Sequence, residues 1–545
     1  MSRHGGKILV DQLAVHGADL AFCVPGESFL AVLDGFYESP VKLIVCRHEG
    51  GAANMADAYG KLTGRPGICI VTRGPGAAHA SVGVHTAFQD STPLILLVGQ
   101  VASAEEEREA FQEVDYRRMF GPLAKWVAQV ERTERIPEFL ARAFATATSG
   151  RPGPVVLALP EDMLAAETDV SDARRYVPAQ AHPGDLGPLR ELLAGAERPF
   201  AIIGGGGFSA RASNDLRTFL EANDLPAGAA FRRQDTLDND SPSYAGDVGI
   251  GINPKLAARV RDADLLLVVG PRLGEMTTSG YTLLDVPTPR QALVHVHPGA
   301  EELSRVYQPT LPILSGMEQF GAAVRDLRVE PRWGEWRAAA RADYEEWRRH
   351  GAMPGAVDYG EVLAQLRERL PADTIVCNGA GNFSVWVHRF WHYHAYPSQL
   401  APTSGAMGYG VPAAVAAKAV APERTVLCFA GDGDFLMTGQ ELATAVQYEL
   451  PILIVVVNNG MYGTIRMHQE RHYPGRVVGT DLRNPDFAAY ARAFGAHGET
   501  VERTEEFAQA LERALAAGRP ALLELRIDPE AITPRATLSE LRAGG

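Results

Sequence analysis

Long apolar runs are missing from this 545-residue chain. None approaches the ~20 residues that a membrane-spanning helix needs. The opening stretch, MSRHGGKILVDQLAVHGADLAF, lacks the apolar core of a secretory signal, so a cytoplasmic location and no membrane partner are expected. Positive charge is in deficit: 52 Lys and Arg face 66 Asp and Glu, a net −14. That balance excludes the basic surface that drives nonspecific nucleic-acid binding. Cysteine is scarce. The five, Cys23, Cys46, Cys69, Cys377 and Cys428, form no C-x-x-C pair and are odd in number, which argues against a disulfide framework. Several lie in apolar stretches such as GICIVT and VLCFA, so buried free thiols in a reducing compartment are expected. Short repeats and low-complexity tracts are also absent.

What is present is an ordinary globular composition, 46% hydrophobic and 22% charged, on a chain too long for one core. Runs of four to six apolar residues recur: ICIVT (68–72), LILLV (94–98), VVLAL (155–159), FAII (200–203), LLLVV (265–269), LVHV (293–296), VLCFA (426–430) and ILIVVV (452–457). Such runs, rich in Val and Ile and closed by Gly or Pro, read as buried parallel strands. Helical stretches between them make the fold class α/β. Two segments read as connections. One is polar and proline-containing, 165–187; the other, about 328–357, holds WGEWRAAARADYEEWRRH and is expected to be partly helical. The cuts predict three doubly wound α/β domains with parallel sheets, at 1–165, 186–328 and 356–530.

The most informative segment is FAGDGDFLMTGQELATAVQYELPILIVVVNNGMYG (429–463), read as strand, turn, helix, strand, turn. Gly431 and Gly433 would let the backbone turn sharply. A helix beginning near Phe435 would offer unpaired N–H groups to an anion. Asp432 supplies a carboxylate at one strand end, and Asn459, 27 positions later, an amide oxygen at the end of the next. Adjacent parallel strands would bring both to one carboxyl edge, where open α/β sheets bind ligands. Hard oxygens with room for phosphate suit Mg2+. Alone, Gly-Asp-Gly and Asn-Asn are ordinary turns. Together, at this spacing, they resemble the signature of thiamine-diphosphate-dependent enzymes. The resemblance implies that Asp432, Asn459 and the carbonyl of Met461 hold the metal. It places the diphosphate among Gly431, Gly433, Asp434, Tyr462 and Gly463.

Upstream, CRHEGGAANMADAYGKLTG (46–64) puts Glu49 where a strand-like run enters a small-residue helix. By itself such a Glu is most often a helix-dipole carboxylate. The stretch resembles the segment of the same family whose glutamate hydrogen-bonds the aminopyrimidine of the coenzyme. That implies a proton shared between Glu49 and the ring, favouring the imino form that deprotonates the thiazolium carbon. Burial without a cationic partner would raise the Glu49 pKa and suit it to this exchange. TSGAMGYGVPAAVAAK (403–418) resembles the loop that folds the coenzyme. Met407 would be its apolar wedge, and backbone groups of Gly405 and Met407 would bind the pyrimidine.

The resemblance runs from residue 20 to 530 and is closest to the acetolactate-synthase-like group. GPGAAHA (74–80), PLILLVGQV (93–101), EAFQEVDY (109–116) and ATSGRPGPVVLALPEDM (147–163) carry it. It implies decarboxylation of a 2-oxo acid followed by carboligation. It also implies a site shared by two subunits, Glu49 from one chain and the Asp432 motif from the other, hence a homodimer at least and a homotetramer by analogy. Phe111 and Gln112 match residues lining the acetolactate synthase site. Departures concern the substrate side. VGPRLGEMTTSG (269–280) keeps Arg272 but has Gly274, Glu275 and Met276 in place of an Asp-Asp-Arg stretch. His468 stands for a gating tryptophan, and His297 for an aspartate used with flavin. Glu27, in VPGES (24–28), occupies the place of a catalytic acid in pyruvate-decarboxylase-like enzymes, which leaves aldehyde release open as the alternative outcome. Gln112, His468 and Glu27 are therefore candidate substrate-side groups; His79 lies in a loop expected to reach the site, with an ordinary surface histidine as the alternative. The tetraglycine in IIGGGGFSARA (202–212) lacks the full G-x-G-x-x-G pattern and a ribose acid, so it reads first as a structural turn; it could also hold a nucleotide phosphate, which keeps FAD and a nucleotide-dependent oxidoreductase open. An inactive regulatory subunit is a third reading, against which the retained Glu49 stands.

Overall fold

A computed structural model describes residues 2–544, which form two compact units. The first comprises residues 1–179, 402–422 and 438–450; the second comprises 180–401, 423–437 and 451–545. The apolar runs became strands of three six-stranded sheets, all parallel, as two-sided burial demands.

In the first unit the strands are β1 (Leu20–Cys23), β2 (Lys42–Val45), β3 (Gly67–Val71), β4 (Leu94–Gln100), β5 (Trp126–Gln129) and β6 (Pro154–Pro160). Their order is β2-β1-β3-β4-β6-β5. The central strands β3, β4 and β6 are buried along their whole length. Reversals of order of this kind open a crevice at the carboxyl edge, and Glu49 and the GPGAAHA loop both follow strand ends there.

The second unit carries two sheets. One contains β7 (Pro199–Ile203), β8 (Ala227–Ala230), β9 (Tyr244–Val248), β10 (Leu265–Val269), β11 (Ala292–His297) and β12 (Leu311–Leu314), ordered β9-β8-β7-β10-β11-β12. The other contains β13 (Ile375–Asn378), β14 (Gln399–Leu400), β15 (Val426–Gly431), β16 (Leu453–Asn458), β17 (His497–Val501) and β18 (Ala521–Arg526), ordered β14-β13-β15-β16-β18-β17. The segment rich in Trp and Tyr does contain a helix, Gly334–Trp347, whose Tyr344 packs edge-on against Tyr244 of β9. No described helix is long and apolar enough to cross a membrane.

All five cysteines are free and buried. Burial alone pushes the Cys23 thiol up to about 12, and Cys46, Cys69 and Cys428 also rise well above the ordinary thiol value.

The tetraglycine turn follows β7. Gly205 has φ +80, and a Cβ there would lie 2.2 Å from the carbonyl oxygen of Gly270. Backbone-to-backbone packing with the turn after β10 thus accounts for the glycine. The next helix, Ala210–Ala222, is capped by Ser209, whose hydroxyl also hydrogen-bonds the Glu318 carboxylate. The start of this helix is thus capped by the chain's own side chain.

Asp247 of β9 lines a cavity of about 490 Å3 with Ile250, Asn382, His388, Met467 and Arg471. Its Oδ1 is shut from solvent without a hydrogen-bond partner, and burial raises its pKa from 3.8 to about 8, with Arg232 opposing. An acid with a raised folded pKa contributes stability that is complete below the unfolded value and lost as pH climbs through the folded one. Denaturant stability should therefore fall from pH 5 to pH 8, and Asp247→Asn should flatten that slope. Equal slopes in urea titrations of both proteins would contradict the assignment.

Candidate functional site

The first unit gathers one half of the expected residues. Glu49 is the first residue of the helix Glu49–Thr63, four positions beyond the end of β2. His48 caps this helix, its Nδ1 accepting the Gly50 N–H at 3.0 Å. The Glu49 carboxylate does not stand alone. His79, from the GPGAAHA helix Gly74–Asp90, brings Nδ1 to 2.8 Å from Glu49 Oε2, and the rings of His48 and His79 stack with centroids 4.6 Å apart. The expectation of a carboxyl without a basic neighbour is thus corrected. His79 is a contact of Glu49, not a surface bystander.

A second carboxylate organises the same helix start. Glu441 is fully buried; it accepts the backbone N–H groups of Arg47 (3.1 Å) and His48 (2.9 Å) and the hydroxyl of Thr444 (2.6 Å). Burial raises its pKa against these hydrogen bonds. Gly51 is glycine because of it: a Cβ there would lie 2.4 Å from Glu441 Oε1.

The Met407 loop is anchored in the same unit. Lys61, on the Glu49 helix, pairs with Asp57 at 2.8 Å and with Asp90, the three side chains being at most 2% exposed. Tyr409 donates its hydroxyl to Asp57 at 2.7 Å, and the Thr403 N–H donates to Asp90 at 2.8 Å. Both ends of the 403–409 segment are therefore tied to one buried ion cluster. Between them Gly405 is exposed with φ +71, and Met407 is half-buried.

Substrate-side residues of this unit are more open. Glu27 is 70% exposed and lies 3.2 Å from Arg73. Gln112 has φ +66, and its carbonyl oxygen would meet a Cβ on Gly74 at 2.8 Å, so EAFQEVDY packs on the start of the GPGAAHA helix. Phe111 beside it is 73% exposed.

The second unit holds the other half. β15 and β16 run parallel side by side, so Asp432 and Asn459 leave neighbouring strand ends. Asp432 accepts from Gly433 N–H (2.9 Å), Gly460 N–H (2.9 Å) and the Asn484 amide (2.7 Å). It is 3% exposed, and burial raises its pKa against those hydrogen bonds. The Asn459 amide oxygen accepts from Met461 N–H at 3.2 Å. The loop to Gly463 is pinned by a second strand segment: Met461 bridges Asp481, and the Tyr462 N–H donates to the Thr480 carbonyl at 2.9 Å.

One local expectation changes. The helix starts at Asp432, not near Phe435, and lasts one turn, Asp432–Phe435; the chain then breaks at Thr438 before continuing as Leu442–Gln447. Gly431 and Gly433 supply room: a Cβ on Gly433 would lie 2.6 Å from the Tyr462 ring, and one on Gly431 would lie 3.0 Å from Phe383. Asp434 reaches back to β13, accepting the Ala380 N–H at 3.0 Å. His468 lies exposed on the helix Gly463–His472, stacked at 6.3 Å on His472, and burial and Arg471 lower its pKa.

Sequence patterns match this geometry to known proteins. Residues 3–119 match the thiamine pyrophosphate enzyme N-terminal TPP binding domain, 187–324 the central domain and 379–525 the C-terminal TPP binding domain. The acetolactate synthase isozyme 2 large subunit of Escherichia coli is 33% identical over 531 residues, covering 96% of each chain. The chain belongs to the thiamine pyrophosphate enzyme family. Within it, relatives of the acetolactate-synthase-like group recur. The acetolactate synthase large subunit of Corynebacterium glutamicum is 31% identical, covering 97% of this chain and 87% of its own. A probable acetolactate synthase large subunit of Methanocaldococcus jannaschii is 30% identical, covering 97% and 93%.

Sequence reasoning missed Glu441, Asn484 and the Asp57–Lys61–Asp90 cluster. Glu441 is the only charged residue in GQELATAVQ, a faint sign that it is not on a solvated face. Asn484, in a polar loop, carries no sign at all. Each unpartnered donor left in a sealed site costs about 1–3 kcal/mol. Glu441→Ala should therefore destabilise the protein by a few kcal/mol in urea unfolding. Lys61→Met, which strands two buried carboxylates, should cost about 3–5 kcal/mol. Surface-like values near zero would show that these groups do not brace the fold.

Proposed function

We propose that this chain is a thiamine-diphosphate- and Mg2+-dependent enzyme that decarboxylates a 2-oxo acid and transfers the resulting acyl group to an acceptor, as the names of its relatives suggest. The reading rests above all on Asp432: a buried carboxylate at paired strand ends with neutral donors and, among the described residues, no cationic partner. A sealed charge of this kind calls for a metal. The donor set fits one: Asp432, the amide oxygen of Asn459 and the carbonyl of Met461 are hard oxygens of the sort Mg2+ takes beside phosphate. Gly431 and Gly433 leave the backbone bare there, and Tyr462 and Gly463 close the loop.

When bound, the coenzyme supplies an acidic thiazolium carbon that attacks the keto carbon and an electron sink for loss of carbon dioxide. Glu49 offers its carboxylate at the edge where the pyrimidine would lie, and His79 fixes the direction of that carboxylate. Met407 and the backbone of Gly405 shape the space for the folded coenzyme. Gln112 and His468 are the candidates for contact with substrate. For Glu27 the ion pair with Arg73 engages the carboxylate, which favours ligation over an acid-assisted release of aldehyde. Backbone packing accounts for the tetraglycine turn, and no flavin or nucleotide-dependent step is derived.

The coenzyme site is read as shared between two subunits. Asp432→Ala should abolish Mg2+-dependent binding of thiamine diphosphate in calorimetry; unaltered binding would defeat the metal assignment. Glu49→Gln should retain binding yet slow exchange of the thiazolium proton by NMR. Mixed oligomers of these two inactive variants should regain turnover, because one composite site then receives both intact residues; persistent inactivity of verified mixed oligomers would place the two groups in one chain's site. Turnover of a 2-oxo acid panel with and without a second keto substrate separates ligation from aldehyde release.

A further inference from the structure

Two histidines and two aspartates that the coenzyme chemistry does not use meet at one point of the second unit. The segment HYH (392–394) follows the helix Phe383–Phe390 in irregular, extended chain, with Trp391 at φ −79, ψ 148. In an extended chain alternate residues share a face. His392 and His394 accordingly point the same way, ring centroids 6.2 Å apart.

The opposing segment is the turn 238–240, which follows the 3-10 turn Gln234–Thr236. Asn239, fully buried, is paired twice with Tyr393: its N–H donates to the Tyr393 carbonyl at 2.9 Å, and its amide oxygen accepts the Tyr393 N–H at 3.0 Å. The same side chain donates to the carbonyls of Gln234 and Leu237, each at 2.9 Å. With positions 239 and 393 locked together, their neighbours on either side are turned toward one another. His394 Nδ1 lies 3.2 Å from Asp238 Oδ1 and 3.4 Å from Asp240 Oδ2. Ligating atoms of Asp240, His392 and His394 all lie within 4.8 Å of one another.

We propose that Asp240, His392 and His394 form a binding site for a divalent transition metal of the Zn2+ class, which ties the turn after β8 to the strand-like segment after the Phe383–Phe390 helix. Imidazole nitrogens with carboxylate oxygen select Zn2+, Co2+ or Ni2+ over Mg2+ and Ca2+. Bonds to such a metal are about 2.0–2.1 Å long, so the side chains would close in around it. Asp238 approaches the same His394 nitrogen as Asp240, and the Tyr344 hydroxyl lies 3.5 Å from Nε2 of His392. Arg348, Arg367 and Arg341 lie in the neighbourhood of His392. These arginines do not displace a cation from the site outright, since each is engaged elsewhere: Arg341 and Arg348 with Glu345, Arg367 with the Phe390 carbonyl. Arg217, 3.5 Å from Asp238 Oδ2, approaches the far oxygen of that carboxylate.

The experiment uses tag-free full-length protein, saturated with thiamine diphosphate and Mg2+ so that the Asp432 region is occupied. Zn2+ is titrated by calorimetry, and Co2+ by its visible absorption. A single tight equivalent is expected. His394→Gln and the surface variant Asp240→Asn should each weaken it by at least about tenfold and remove the rise in melting temperature that Zn2+ gives the parent protein. His79→Gln, which alters the other histidine-carboxylate group, should leave it unchanged. Absence of a tight equivalent would overturn the site. So would equal Zn2+ affinity in the parent and both site variants, or loss of the equivalent in His79→Gln instead.

Discussion

The sealed carboxylate of Glu441 is the constraint on which the placement of Glu49 depends. A backbone N–H is a donor that cannot be discarded, and those of Arg47 and His48 precede the first turn of a helix, where intrahelical partners do not exist. Glu441 satisfies both with one side chain. The helix start is thereby fixed to a segment that follows the Gly-Asp-Gly strand by only a few residues in sequence. The cost is a charge out of water, offset by three charge-assisted hydrogen bonds. The direction in which Glu49 leaves the helix follows from that fixed start, and His79 then limits the carboxylate's remaining rotation.

The Asp57–Lys61–Asp90 cluster plays the complementary part for the Met407 loop. A loop of glycines and small residues between Thr403 and Tyr409 has little side-chain packing to define it. Hydrogen bonds to buried charges at its two ends do the defining, and they draw on the same helix that carries Glu49. Pyrimidine-side residues far apart in sequence are thus referred to one rigid helix. Sites held on such elements keep their geometry better than sites on free loops.

How much of this was legible in the sequence differs by the kind of force involved. Strands such as LILLV and VLCFA announced themselves because burial on both faces leaves no room for polar residues. The neighbouring strand ends of Asp432 and Asn459 were readable because their spacing suits adjacent parallel strands, while a role for them came only with the family resemblance. The local conformation was less legible: the helix was expected near Phe435 and begins at Asp432, where the glycines at 431 and 433 give clearance from Phe383 and Tyr462. Partnerships were least visible. Glu441, Asn484, Lys61 and Asp247 are polar residues whose meaning lies in what faces them in the folded chain, and no periodicity records that. His79 was ambiguous for the same reason, and only its distance from Glu49 resolves it.

The five sealed thiols give each unit an internal clock. Cys23, Cys46 and Cys69 sit in one unit and Cys377 and Cys428 in the other, all buried away from the alkylating reagents that would attack them. Native protein should ignore such reagents, and labelling should wait on opening of the surrounding sheet. The order in which the two sets become reactive then records which unit loosens first, without any engineered probe.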